Sequence, residues 1–60
     1  MIISTHYIGN CALHILFSND VFSVWSTDDP TNPEFIGSYN DCISYVNDAI
    51  SYYINDCIQN

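Results

Sequence analysis

The residues whose types and spacing could do chemistry are acids and phenols in the last third of the chain. Asp41, Tyr45, Asp48, Tyr52 and Asp56 follow one another at steps of four, three, four and four. On an α-helix such steps bring side chains onto one face. Carboxylates pair with Arg and Lys, and the ring of Tyr stacks on a guanidinium, so this stripe suits a cationic partner. Tyr is also enriched where binding energy concentrates at interfaces. Along a helix Asp41 and Asp48 would stand about 10.5 Å apart, comparable with phosphates across a narrow groove once backbones are counted. A second group, Asp28, Asp29 and Glu34, flanks the prolines Pro30 and Pro33.

Other chemistries fit less well. Cys11, Cys42 and Cys57 with His6 and His14 supply thiols and bases, but neither Cys11 nor Cys57 stands at a helix start that would activate it as a nucleophile. The adjacent Asp28 and Asp29 read as a solvated turn, since neighbouring loop residues point apart. Cys and His fall into no paired zinc spacing, and Cys42 and Cys57 would lie about 22 Å apart on a helix. The stretch from Asp28 to Glu34 has oxygen donors but no Gly to bend a calcium loop. No catalytic residue, metal or cofactor is expected.

Composition sharpens the contrast. The 60 residues hold seven Asp or Glu and no Lys or Arg, a formal charge of −7. An ordinary domain of this size would carry about seven basic residues. Their absence argues against a nucleic-acid binder, against docking on an anionic membrane, and against Arg or Lys clamps on anionic substrates. The expected partner is therefore positive. With 48% hydrophobic and 15% aromatic residues the chain is too apolar for a disordered acidic tail. Length implies a single domain over 1–60, of modest stability. Three cysteines are an odd number and favour a reducing cytoplasm over a disulfide framework. Met1–His6 lack the basic and apolar regions of a signal peptide, and no apolar run is long enough to cross a membrane.

These residues must be positioned by a small set of elements. Ile2–Ile8, Cys11–Phe17 and Val21–Ser26 are rich in β-branched and aromatic residues. Gly9-Asn10 and Ser18-Asn19-Asp20 punctuate them, which predicts an antiparallel meander. Residues 27–34 form a proline-stiffened loop. Phe35-Ile36 is either a short fourth strand or a pin holding the loop to the core. Ser38 reads as an N-cap, and residues 39–58 as a helix burying Tyr39, Ile43, Val46, Ile50, Tyr53, Ile54 and Cys57. Asn-Asp-x-Ile recurs at residues 40, 47 and 55, a repeat that an amphipathic helix can produce unaided. The fold class is α+β: a three-stranded, or four-stranded, antiparallel sheet with one C-terminal helix across it.

An up-down-up meander would end its third strand where the helix begins, gathering Asp28, Asp29, Glu34 and Asp41 at one end. Asp41 suits the positive end of the helix dipole, whereas Asp56 occupies a last turn where a cation would be favoured. Lys is thus missing even where it would stabilise, which points to the negative surface as a functional requirement. Solubility alone is the competing explanation, and two exposed tyrosines can be incidental on a helix.

Asp20, Asp28, Asp29, Glu34, Asp41, Asp48 and Asp56 on a chain without Lys or Arg resemble the small acidic inhibitors of phages and mobile elements. Among these the chain is most similar to anti-CRISPR proteins of the DNA-mimic type. The resemblance is one of type across the whole chain, without a shared motif. It implies binding to the basic surface of a CRISPR effector, a Cascade-like complex by preference, in the host bacterial cytoplasm, with DNA excluded and no enzymatic step. An inhibitor of another DNA-binding enzyme would look the same. A regulatory interaction module, antitoxin-like or a small subunit, is the alternative from a different class. Self-association through the helix tyrosines is opposed by seven charges per chain, so a monomer is expected.

Overall fold

Two turn dipeptides set the sheet. Gly9 adopts φ +60°, and Ile8 pairs with Cys11 across it, the two-residue hairpin that wants Gly at its first position. Asn19 and Asp20 both have positive φ, 54° and 63°, between the paired Ser18 and Val21. Asn and Asp are the side chains that best tolerate this left-handed geometry, so Asp20 has a structural reason to be there.

The computed structural model describes residues 1–55. Strands β1 (Ile2–Ile8), β2 (Cys11–Ser18), β3 (Val21–Ser26) and β4 (Phe35–Gly37) precede helix α1 (Tyr39–Tyr53). The sheet is antiparallel in the order β1-β2-β3-β4, with α1 packed across one face, an α+β architecture. The first three strands agree with the sequence pattern to within one residue. Phe35-Ile36 does become a strand, and Gly37 extends it. The helix expected to reach residue 58 is described as far as Tyr53, and residues 56–60, with Asp56 and Cys57, lie outside the described residues.

Register decides which side chains meet the helix. Ile15 faces Val24, and Val24 faces Phe35, so these three share one side of the sheet. Ile15 and Val24 are fully buried there with Cys42 and Val46 of α1. Ile8, Phe22, Ile43, Tyr45, Ala49 and Ile50 pack around them. The buried stripe of α1 is thus turned from the expected one toward Cys42, Tyr45 and Ala49, while Tyr39 and Ile54 are exposed. Packing density gives the reason: small Cys42 and Ala49 let the helix axis approach the sheet, and bulkier side chains spread to the flanks.

Ser38 caps α1 as its type predicts: its Oγ accepts from the Asp41 amide at 3.1 Å. At the other end Tyr53 lies over the first hairpin turn. Gly9 is favoured by its positive φ, and a Cβ there would also stand 2.9 Å from the Tyr53 hydroxyl oxygen, so that ring would have to move aside.

Candidate functional site

The short strand β4 changes where the acids lie. Phe35 pairs with Val24 and Gly37 with Phe22, so the chain runs back along β3 before the helix starts. Tyr39 then packs edge-on against Phe22, with ring centroids 5.5 Å apart. The helix therefore begins toward the β2–β3 turn, where Asp20 sits, and ends over the β1–β2 turn. The end shared by Asp28, Asp29, Glu34 and Asp41 in a simple meander does not form. Asp41 opens the helix, whereas Asp28 and Asp29 lie at the opposite end beside Cys11.

The loop acids are engaged by their own chain. The Cys11 thiol donates to Asp28 Oδ2 at 3.0 Å, and the Asp28 amide donates to Ser26 Oγ at 3.1 Å. That bond to a carboxylate, with the charge nearby, pushes the Cys11 thiol above its ordinary pKa and away from nucleophile chemistry. Asp29 Oδ1 accepts from the Thr31 hydroxyl at 2.6 Å and from the Thr31 amide at 3.2 Å. These bonds stabilise the ionised form and hold the Asp29 carboxyl below its ordinary pKa. Asp29 also closes an isolated bridge with Ser26 at the end of β3. Both acids therefore shape the loop that returns the chain to β4.

Glu34 belongs with the helix. Its amide donates to the Val24 carbonyl at 2.7 Å, which fixes it at the start of β4. Its Oε1 accepts from the Tyr45 hydroxyl at 3.1 Å, while the Tyr45 ring stacks on Phe35 with centroids 5.3 Å apart. Tyr45 is consequently half-buried rather than outward-facing, a correction to the exposed stripe. Burial first, and the bond to Glu34 second, raise its phenol pKa. Asp41 and Asp48 are exposed on the same flank two helical turns apart, with Tyr52 (71% exposed) one turn beyond. Helical phase and the Tyr45–Glu34 contact thus bring Glu34, Asp41, Tyr45, Asp48 and Tyr52 together along the α1–β4 edge. Asp56 lies outside the described residues.

No cavity is present among the described residues. No three His, Cys, Asp or Glu side chains converge there as metal ligands among the described residues. Its chemistry is that of a surface: fixed carboxylates at helical intervals, with an exposed phenol for stacking.

No family model matches the chain, and no curated protein or solved structure is similar to it. The functional reading therefore rests on the residues themselves. Sequence pattern alone missed Cys11 as the partner of Asp28, because seventeen residues and two strands separate them. It also missed the pairing of Glu34 with Tyr45, which depends on β4. A further feature was legible but unused: the four strands contain no Asp or Glu at all.

Proposed function

We propose that this protein is a stoichiometric inhibitor that offers the α1–β4 edge to a basic DNA-binding surface and excludes DNA from it. The observation that carries the reading is the alignment of Glu34, Asp41 and Asp48 with Tyr52 along one edge of a chain without Lys or Arg. Carboxylates replace phosphates as partners for Arg and Lys, and Tyr52 offers a ring for guanidinium stacking. In the form suggested by its resemblance to DNA-mimic anti-CRISPR proteins, the target is a CRISPR effector complex of the Cascade-like kind. Binding would then occupy the surface that holds target duplex, without turnover.

The test is competition. Labelled target DNA is bound to a purified Cascade-like complex, and the protein is titrated in at several salt concentrations. Displacement at a fixed molar ratio, weakening steeply as salt rises, is the expected result. Undiminished DNA binding at excess protein would overturn the CRISPR form of the proposal. A failure to bind any basic DNA-binding complex would overturn the charge-mimic reading altogether.

A further inference from the structure

The side of the sheet away from α1 has a composition of its own. Register places Tyr7 opposite Ala12, His14 opposite Trp25, Leu16 opposite Ser23, and Ser23 opposite Ile36, all on this outer side. Ile2, paired with Leu16, extends it at one end. Tyr7 is 80% exposed and Ile36 58%, so large apolar side chains stand in solvent at both margins of the face. Its polar groups are turned on one another. His14 Nδ1 lies 2.9 Å from Thr5 Oγ1, and the Trp25 indole N–H donates to Ser23 Oγ at 2.9 Å.

We infer that this outer face is a self-association surface, on which a second copy of the chain packs sheet against sheet about a two-fold axis. Charge selects the occupant. A basic partner finds no counter-charge here, because the acids of the described residues lie in turns, loop and helix. For a chain of charge −7, an acid-free face is where another copy can approach without placing carboxylate on carboxylate. Stacked sheets sit about 10 Å apart, and each helix lies on the far side of its own sheet. The two sets of helix acids are then separated by both sheets, beyond the ~10 Å screening length at about 0.1 M salt.

Size sets the strength. Three strands roughly 20 Å long and the three-residue β4, about 4.8 Å apart, give a footprint of about 350 Å² per copy before side-chain relief. Two copies would together bury about 700 Å² by this footprint, below the roughly 1,200 Å² of stable specific interfaces, so the dimer is weak and rapidly reversible. A chain of this length has a small core, and covering a second apolar face is one way such domains gain stability. The α1–β4 edge stays exposed on both copies, so the inference stands independently of the proposed inhibitor role.

Sedimentation equilibrium of the full chain from about 1 μM to about 1 mM tests it, with fluorescence of the single tryptophan, Trp25, read in parallel. The expected result is a concentration-dependent shift from monomer to dimer, with Trp25 emission moving to the blue and acrylamide quenching falling. Added salt should tighten this association by screening like charges, the opposite of its effect on a basic partner. Tyr7→Glu combined with Ile36→Glu should weaken the dimer at least tenfold; both positions are exposed, and circular dichroism checks that the sheet persists. Monomer throughout with unchanged Trp25 emission would overturn the inference. So would a dimer that survives the double variant, or one that weakens with salt.

Discussion

Two acidic regions of this molecule have similar composition and opposite relations to the rest of the chain. In the loop, Asp28 accepts from the Cys11 thiol and Asp29 from the Thr31 hydroxyl and amide, so the Asp29 carboxylate holds the backbone that leads into β4. On the α1–β4 edge, Asp41 and Asp48 are exposed, and Glu34 alone is tied, through the Tyr45 hydroxyl. A carboxylate already satisfied by local donors is a poor site for a partner's guanidinium, which must displace those bonds before gaining its own. Counting acids therefore overstates the available surface. Among the described residues, only the edge has carboxylates held by a regular element at a fixed interval.

Charge reversal separates the two regions most strongly. Asp41→Lys with Asp48→Lys should reduce affinity for the basic target by about two orders of magnitude, equivalent to roughly 2.7 kcal/mol. The helix should survive, apart from a loss of about 0.3–1 kcal/mol for a cation placed at its N-terminus. Calorimetric titration against the target, with circular dichroism on the free protein, measures both. Full affinity after this reversal would remove the edge from the proposal.

The loop should behave the other way. Asp29→Ala is expected to lower Tm by a few degrees and leave target affinity nearly unchanged. The pH dependence has a definite sign. The Asp29 carboxyl is held below its ordinary pKa in the folded chain, so the unfolded chain binds the proton first. The stabilisation it supplies is complete above the ordinary Asp value and is lost as pH falls through the lower, folded value. Thermal melts across the acid range should show this loss in the natural chain and a shallower one in Asp29→Ala.

Tyr45→Phe is the smallest and sharpest change. It removes the hydroxyl that binds Glu34 but keeps the ring on Phe35, so stability should change by no more than about 0.5–1.5 kcal/mol. Glu34 would be released for a partner, and target affinity should hold or rise slightly. A clear loss of affinity would instead make the Tyr45 hydroxyl part of the contact. In the natural chain the raised phenol pKa favours the neutral form on folding. Its contribution is present below the ordinary Tyr value and disappears as pH rises through the higher, folded one.

Several elements are legible in the amino-acid sequence. Gly9-Asn10 and Ser18-Asn19-Asp20 mark short hairpin connections because few residues accept positive φ, and a short connection then dictates antiparallel pairing. That Ser18 joins β2 and leaves a two-residue turn is seen only in the structure. Ser38 announces the helix start because its hydroxyl can satisfy an amide left without a helical partner. The rotation of α1 was less legible. Its apolar residues cover a broad arc, and only packing against Ile15 and Val24 selects Cys42 and Val46 as the innermost pair. The grouping of the acids was not legible, since it turns on β4. Three residues are too few to show a period, and the pairing of Phe35 with Val24 is a long-range contact.

By itself the amino-acid sequence determined the charge sign, the antiparallel hairpins, the helix cap and the exclusion of acids from every strand, because these depend on residue type and neighbours a few positions away. Only the tertiary structure decided that Asp28 and Asp29 are held by their own chain while Glu34 joins the helix. It also decided which side of the sheet α1 covers among the described residues. Those outcomes depend on which way the chain returns after the proline loop and on which side of a four-stranded sheet a single helix can cover. Local propensity leaves both choices open, and burial of Ile15, Val24, Cys42 and Val46 in one core resolves them.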